Sequence, residues 1–275
     1  MAADSTNQFR LGIALSGGGA RGFAHAGALK ALEEAGYRPD VIAGVSAGSV
    51  AAVLYAAGIT PEGILEIFSN RKFSDLCRLH LSGHGLLDMS RFRQLIAQAI
   101  APARNLEDLN IPTYIGVTDF DSGQPHSFSS GPAAERVSAS CSIPVIFPPV
   151  KIDGVNYVDG GVLRNLPAGI IRDKCSILIG IDCSPQNYMP LRGKSIIDTA
   201  FRSFHMLARA NTMHDIDICD MMISVKDIAD YKVFNLKDIN RCFKCGYEAA
   251  SKALDQICLL DNISKTNQNT SHDQN

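Results

Sequence analysis

A strand that ends in a Gly-x-Ser-x-Gly turn constrains the fold of this 275-residue chain more than any other stretch. Residues 41–45 are apolar or small, Gly44 and Gly48 flank Ser46, and an alanine-rich helix is predicted to follow. Glycines are needed there because so sharp a strand-to-helix turn leaves no space for side chains on either side of the serine. The pattern predicts a nucleophile elbow, with the Ser46 hydroxyl exposed above the N-terminus of the next helix.

Strands and helices alternate around this turn and indicate the fold class. An apolar strand over residues 11–16 leads to a helix that ends at Gly36, where a C-cap glycine is expected. After the elbow helix, Thr60 as N-cap and Pro61 at the first helical position begin a third helix. This order is typical of right-handed α/β units, so we expect a mostly parallel central sheet.

The rest of the chain is predicted to extend this sheet without forming a second core. We predict one domain over residues 10–260, a flexible N-terminus at 1–9 and a disordered polar tail at 261–275. The further strands are predicted at 112–118, 124–129 (antiparallel to it), 176–183 and 221–225, with a hairpin at 151–158, and the further helices at 90–101, 133–142, 195–214 and 239–260.

Residues 71–87 are less regular, and two interpretations are open. Cationic side chains are mixed with apolar ones such as Phe73, Leu76 and Leu79. Such a segment is either a loop packed on the core or a lid that contacts a lipid interface.

Composition excludes several classes of partner. With 26 Lys and Arg against 28 Asp and Glu, the net charge of -2 provides no attraction to nucleic acid. No apolar run reaches the roughly 18 residues of a membrane-spanning helix, and the N-terminus lacks the order of a secretory signal. The eight cysteines fit a reducing compartment, and the pair Cys242 and Cys245 has no second ligand pair at zinc spacing. We therefore expect a soluble, cytoplasmic protein without a metal, in which this pair is structural or incidental.

A cluster formed by Gly17, Gly18, Gly19, Arg21 and Gly22 follows the first strand and has two chemical interpretations. Its spacing fits the dinucleotide-binding fingerprint, but that fingerprint places an acidic residue at the end of the second strand, where this chain has a serine. The alternative is an oxyanion hole, in which N–H groups free of side chains point at a developing negative charge. In that interpretation, Arg21 adds positive charge or braces the loop.

Hydrolysis at Ser46 also needs a base. No histidine after Ser46 follows a strand in a loop aimed at the elbow; these histidines are His80, His84, His126, His205, His214 and His272. Asp159 instead leaves a strand directly into Gly160 and Gly161, a turn that exposes its carboxylate. An aspartate with an ordinary pKa near 4 is a weak base unless its environment helps. The residues favour a Ser46–Asp159 dyad, and a Ser-Asp-His triad stays the alternative.

Three motifs together resemble the patatin-like phospholipases in spacing and in order: the glycine cluster at 17–22, the elbow at 44–48 and the Asp-Gly-Gly turn at 159–161. The similarity extends through residues 40–44, 142–144 and 147–150 and covers about residues 11–167. The chain is similar to the short bacterial, single-domain members rather than to the longer neuropathy-target-esterase relatives. The part after about Cys183 carries no motif.

The resemblance implies a three-layer α/β/α fold and an enzyme that hydrolyses phospholipids, lysophospholipids or simpler acyl esters without a cofactor. It implies that Ser46 is the nucleophile, that Asp159 is the catalytic aspartate and that residues 17–22 form the oxyanion loop. Two further possibilities stay open: association with a membrane surface, and a regulatory protein that keeps the fold without the activity.

Overall fold

The structure is a computed structural model that describes residues 8–82, 85–184, 196–228, 231 and 235–272, with the backbone alone at 80–82, 197 and 256–272. Most of the predicted flexible N-terminus, residues 1–7, and the last three residues of the predicted tail, 273–275, lie outside the described residues.

Within these residues the chain forms ten strands, β1 to β10, with the bounds Phe9–Leu15, Val41–Val45, Arg78–Ser82, Gly85–Asp88, Thr113–Asp119, Gln124–Phe128, Val150–Ile152, Val155–Asp159, Cys175–Asp182 and Met221–Ser224. In the same part of the chain, ten α-helices, α1 to α10, have the bounds Phe23–Glu34, Ala47–Ala56, Pro61–Phe68, Phe73–Leu76, Ser90–Ala99, Ala133–Ser140, Ala168–Ile171, Ile196–Ala210, Met213–Asp217 and Ile239–His272.

Eight strands form one mixed sheet in the order β10-β9-β1-β2-β5-β8-β7, with β6 also paired to β5. The five strands from β10 to β5 run parallel. The pairings of β5 with β6 and β8, and of β7 with β8, are antiparallel. The predicted fold class, an α/β protein with helices on both faces of a mostly parallel sheet, is confirmed.

Alternating side chains of the central strands pack into apolar cores on the two faces of this one sheet. Ile13, Leu15 and Ile42 belong to the larger core, which also contains the buried side chains of α1 and α2. Ala14 and Ala43 belong to a smaller core on the other face, together with residues of α7. Successive side chains of a strand point to opposite faces, so strands that are apolar throughout require helices on both sides.

Strand β5 determines where β2 and β8 end relative to one another. Its residues 113–116 pair with β2, residues 115–119 pair with β6, and residues 117–119 pair with β8. Residues of β5 that pair with β2 or with β8 also pair with β6, so β6 lies along one edge of β5. Strands β2 and β8 therefore share the opposite edge. They run toward each other along it, and their last residues, Val45 and Asp159, face consecutive positions, Gly116 and Val117.

Residues 71–87 contain the helical turn α4 and the β3–β4 hairpin. The N–H groups of Leu86 and Leu87 both donate to Ile146 O, at 3.0 and 2.9 Å. A Cβ on Gly85 would lie 2.4 Å from Pro148 N, so the hairpin packs directly on the 143–150 segment. Leu79 on its outer strand remains 73% exposed.

Two predicted helices differ from those observed. The helix predicted over 195–214 is two helices, α8 and α9, separated at Asn211 and Thr212. Helix α10 continues past the predicted end at 260 to His272, over residues for which the composition predicts a disordered tail. No glycine or proline follows Gly246 within α10, so no residue with a strong helix-breaking preference ends it earlier.

Helix α10 packs on α1 through two glycines. A Cβ on Gly246 would lie 1.9 Å from Ala24 O, and a Cβ on Gly27 would lie 1.9 Å from Phe243 O. The two backbones therefore touch, which requires residues without side chains at both positions. This contact holds the part of the chain that carries no motif against the helix that follows the glycine cluster.

Replacing Gly246 with alanine tests this packing. Helix propensity alone predicts a gain of about 0.5–1 kcal/mol in the free energy of unfolding, whereas the clash with Ala24 O predicts a loss of about 1–3 kcal/mol. Urea unfolding should therefore show a lower midpoint for Gly246→Ala than for the wild type. Lys252→Ala, at an exposed position of α10, is the control and should stay within about 0.5 kcal/mol. A raised midpoint for Gly246→Ala would contradict the close contact.

Candidate active site

Ser46 lies in the turn between β2 and α2. Its φ of 53° and ψ of -123° form a conformation that costs a non-glycine residue about 1–3 kcal/mol. Hydrogen bonds hold its backbone in place: the Ser46 N–H donates to Ser140 Oγ at 2.8 Å, and Ser46 O accepts from Ser49 Oγ at 2.6 Å and from Ser49 N–H at 2.9 Å. Its side chain lines an apolar cavity, and the residue is 7% exposed.

The glycines on either side of Ser46 occupy positions without space for a side chain. A Cβ on Gly44 would lie 2.3 Å from Gly48 O, and a Cβ on Gly48 would lie 2.2 Å from Leu15 O. The turn therefore packs against the end of β1, beside the glycine loop that follows this strand.

Asp159, the last residue of β8, is fully buried. Its Oδ1 accepts a hydrogen bond from Gly161 N–H at 2.8 Å. Its Oδ2 has no hydrogen-bond partner among the described residues. The turn that follows is as crowded as the elbow, since a Cβ on Gly160 would lie 2.6 Å from Gly116 O.

Burial raises the pKa of Asp159 from 3.8 to about 7, because the charged carboxylate loses its hydration in the interior. Hydrogen-bond interactions with Gly161 N–H and the Ser46 side chain oppose this rise. The Ser46 hydroxyl is thus a neighbour of the carboxyl, although Asp159 Oδ2 accepts no hydrogen bond from it. Burial therefore gives Asp159 a pKa near neutrality, well above that of an ordinary aspartate.

The glycine cluster forms a loop and a 3-10 turn, Gly19–Gly22, that leads into α1. Its φ of 58° places Gly19 in the left-handed region that favours glycine. A Cβ on Gly17 would lie 3.3 Å from Ser46 Cβ, and a Cβ on Gly22 would lie 2.5 Å from Ala47 Cβ. The structure therefore brings the glycine cluster directly against Ser46.

The N–H groups of this loop differ in their partners. Gly17 N–H donates to Asn165 O at 3.0 Å. The N–H groups of Gly18 and Gly19 have no partner in the part of the chain that the structure describes.

Arg21 extends from the loop toward the C-terminal elements. Its side chain is buried, and its Nε donates to Tyr231 O at 2.9 Å. Burial, and next the positive charge of Arg21, lower the pKa of His205 on α8 to about 4. Of the two roles predicted for Arg21, bracing of the loop is the one that this geometry supports.

The described histidine side chains make no hydrogen bond to Ser46 or Asp159; they are His25, His126, His205 and His214. His126 packs its ring 4.7 Å from that of Phe128 on β6. His84 and the side chains of His80 and His272 lie outside the described residues.

Two polar residues outside the predicted site support it. Ser140 Oγ, which accepts from the elbow N–H, donates to Gly116 O at 2.7 Å and so links the elbow to β5. A Cβ on Gly17 would lie 2.4 Å from Asn165 Oδ1, and a Cβ on Gly161 would lie 3.0 Å from it. Asn165 therefore lies between the glycine loop and the Asp-Gly-Gly turn. Nearness to the motifs is the one sequence signal that points to either residue.

The open cavity at Ser46 contains about 830 Å³ of empty space, a volume that includes solvent at its mouth. Its walls are apolar and include Phe23, Phe68, Phe73, Leu76, Phe92 and Phe147. Because Phe73 and Leu76 come from α4, the 71–87 segment forms one side of this cavity.

Within the described residues, no group of three or more His, Cys, Asp or Glu side chains is arranged to hold a metal ion. The cysteines there are free thiols, and burial raises the pKa of Cys242 on α10 to about 12. The same residues include no helix that combines the length and the apolar character needed to cross a bilayer.

Comparison with known proteins identifies the family. A family model described as "Patatin-like phospholipase" matches residues 13–171. The chain belongs to the patatin-like phospholipase family. An uncharacterized NTE family protein of Mycobacterium bovis is 30% identical over 210 residues, which cover 75% of this chain and 58% of that protein. Lysophospholipase nte1 of Aspergillus fumigatus is 36% identical over 168 residues, which cover 57% of this chain and 11% of that protein.

A solved structure supports the patatin-like fold. VipD from Legionella pneumophila aligns with a TM-score of 0.60 at 16% identity, over 90% of this chain and 67% of that chain. This chain thus contains a patatin-like domain but spans little more than half the length of the mycobacterial relative and about a tenth of the fungal one.

The raised pKa of Asp159 makes a prediction about stability. Between about pH 4 and pH 7 the folded protein keeps a proton on Asp159 that the unfolded chain has lost, so wild-type stability falls as the pH rises through this window. Asp159→Asn has no such charge. Its free energy of unfolding relative to the wild type should therefore be higher at pH 8 than at pH 5.

Urea unfolding at both pH values measures this difference. Asp119→Asn is the control, because the hydrogen bonds of Ser122 lower the pKa of Asp119 and keep it charged in both states above pH 5. Its effect should be the same at pH 5 and pH 8. A pH-independent difference for Asp159→Asn would contradict a raised pKa at Asp159.

Proposed function

We propose that the protein is a serine lipid acyl hydrolase in which Ser46 is the nucleophile and Asp159 is the general base. The observation that carries the proposal is the buried carboxyl of Asp159, with a pKa near 7, beside a serine held in a strained strand-to-helix turn. A general base is most effective when its pKa lies near the working pH. No histidine is needed in this arrangement.

In the acylation step, Ser46 Oγ attacks the ester carbonyl carbon while its proton moves to the Asp159 carboxylate. The electron pair of the carbonyl double bond moves to the oxygen and forms a tetrahedral oxyanion. When this intermediate collapses, the bond to the alcohol breaks, and the alcohol leaves with the proton from Asp159. The acyl group is then an ester of Ser46.

The N–H groups of Gly18 and Gly19 are the proposed donors to the oxyanion. They lie in the loop that packs on Ser46, and no described residue accepts a hydrogen bond from them. The donors are fixed before the reaction, so the transition state gains their full interaction without reorganisation. Gly17, Gly22 and Arg21 hold the loop in this position.

In the deacylation step, Asp159 takes a proton from water as the water oxygen attacks the acyl carbon. Collapse of the second oxyanion breaks the bond to Ser46 Oγ, which takes the proton back from Asp159. The products are a free carboxylic acid and the original enzyme, and no cofactor takes part.

The apolar cavity favours a substrate with an acyl chain. Among the described residues, its aromatic and aliphatic walls offer no charged group to a polar substrate, whereas an alkyl chain that leaves water for this cavity gains about 0.8 kcal/mol per buried methylene. Together with the family, this supports phospholipids, lysophospholipids or simpler acyl esters as substrates. We propose that the enzyme meets them at a membrane surface from the cytoplasmic side.

Replacement of the two proposed catalytic residues tests this assignment. Ser46→Ala should lower hydrolysis of a p-nitrophenyl acyl ester by at least about 10³-fold and abolish labelling by a fluorophosphonate probe. Asp159→Asn should lower kcat by about 10²–10⁴-fold, the contribution of a general base. Asp153→Asn, an exposed aspartate at the β7–β8 turn, is the matched control and should retain wild-type rates. Undiminished labelling of Ser46→Ala would rule out Ser46 as the nucleophile.

The pH dependence of the rate tests the base independently. Asp159 acts only when deprotonated, so kcat/KM should fall tenfold for each pH unit below about 7, with the slope of a single ionisation. A steady-state profile from pH 5 to pH 9 measures this. A rate that stays constant down to pH 5 would contradict a general base with a pKa near 7.

A further inference from the structure

The carbonyl oxygen of Gly17 accepts two hydroxyl hydrogen bonds. Ser16 Oγ donates to it at 2.9 Å and Ser184 Oγ at 2.7 Å. Both serines are buried, and Ser184 reaches this oxygen from the loop after β9, 167 residues further along the chain. A carbonyl oxygen has two lone pairs, so Gly17 O is fully used, and its peptide group cannot rotate without breaking both bonds.

The opposite end of this peptide group is Gly18 N–H, a donor of the loop that has no partner among the described residues. A peptide group is planar and trans, so its N–H points away from its C=O. Any interaction that fixes Gly17 O therefore also fixes the direction of Gly18 N–H. Because Gly17 adjoins Ser46, that direction decides whether the donor reaches an oxygen bound at the serine.

The preceding peptide group is held as well. His25 Nε2 lies 2.7 Å from Ser16 O, and Gly17 N–H donates to Asn165 O at 3.0 Å. Burial lowers the pKa of His25 to about 4, so the ring is neutral at pH 7, and its Nε2 must carry the proton to bond a carbonyl. Two successive peptide groups are thus fixed before Gly18.

Ser184 is itself anchored by a buried ion pair. Its N–H donates to Asp182 Oδ1 at 2.8 Å, and the other oxygen of Asp182 accepts from Arg209 on α8 at 2.8 Å. Asp182 is 3% exposed, so it keeps its partner and holds the Ser184 backbone in one place. The hydroxyl of Ser184 is therefore presented to Gly17 O from a backbone that Asp182 holds by a hydrogen bond.

We infer that Ser184, together with Ser16, is a positioning residue that orients Gly18 N–H as an oxyanion donor. This inference rests on the proposed function. Neither serine lines the cavity at Ser46, so both act through the Gly17–Gly18 peptide group rather than on the substrate. The position of Ser184 lies beyond the residues that the family model matches.

The test compares Ser184→Ala, Ser16→Ala and the double variant on a p-nitrophenyl acyl ester. Each single variant keeps one of the two hydrogen bonds and should lose about tenfold in kcat, and the double variant should approach the 10²–10³-fold loss of a missing oxyanion donor. KM should change less than about twofold, because the donor acts on charge that develops after binding. The pH midpoint of kcat/KM should stay where it is in the wild type, since the base is untouched.

Two controls separate positioning from stability. Ser138→Ala removes another buried hydroxyl, which donates to Ala134 O within α6 at 2.8 Å, and should keep the wild-type kcat. Ser184→Thr keeps the hydroxyl and should restore most of the activity that Ser184→Ala loses. The single variants and Ser184→Thr answer the question even when the double variant does not fold.

The inference is overturned if Ser46→Ala is inactive while Ser184→Ala and Ser16→Ala match Ser138→Ala in kcat. It is also overturned if Ser184→Thr recovers no activity. If Ser46→Ala itself remains active, the proposed function fails, and that outcome is distinct from the other two.

Discussion

The edge of β5 that pairs with both β2 and β8 brings two strand ends together. Since these strands run toward each other along one edge, their last residues, Val45 and Asp159, face neighbouring positions of β5, and Ser46 directly follows Val45. Ser140 ties this meeting point to the sheet, because its hydroxyl joins Ser46 N–H to Gly116 O. The relative position of serine and aspartate is therefore set by backbone pairing rather than by flexible side chains.

Burial sets the pKa of Asp159 at the place where these two strands end. Placing Asp159 in the interior raises its pKa to about 7, which stabilises the protonated form and creates a carboxyl that exchanges a proton near neutrality. Two features at this place lower the stability of the fold: the strained backbone of Ser46 and the buried ionisable side chain of Asp159. Crowded glycines and shared hydroxyl bonds keep both in position.

The sequence predicted a large part of this arrangement, because each motif has a local cause. Ser46 and Asp159 both lie where an apolar strand leads into a glycine turn, and such turns can be predicted from the local sequence alone. The meeting of β2 and β8 on one edge of β5 is a long-range pairing that no local pattern encodes. For the same reason, the sequence did not reveal Ser140, Asn165 or Ser184, whose partners lie 24 to 167 residues away. The break between α8 and α9 was missed because the apolar pattern continues across it.

The proposed chemistry depends most on the protonation state of Asp159, and a direct titration measures it. Protein labelled with ¹³C at the aspartate carboxyl carbons would be followed by NMR from pH 3 to pH 9, with Asp159→Asn used to assign the signal. We expect a midpoint near pH 7 for Asp159, and a higher midpoint in Ser46→Ala, where the opposing interaction with the hydroxyl is removed. A midpoint near pH 4 would contradict Asp159 as a base tuned by burial.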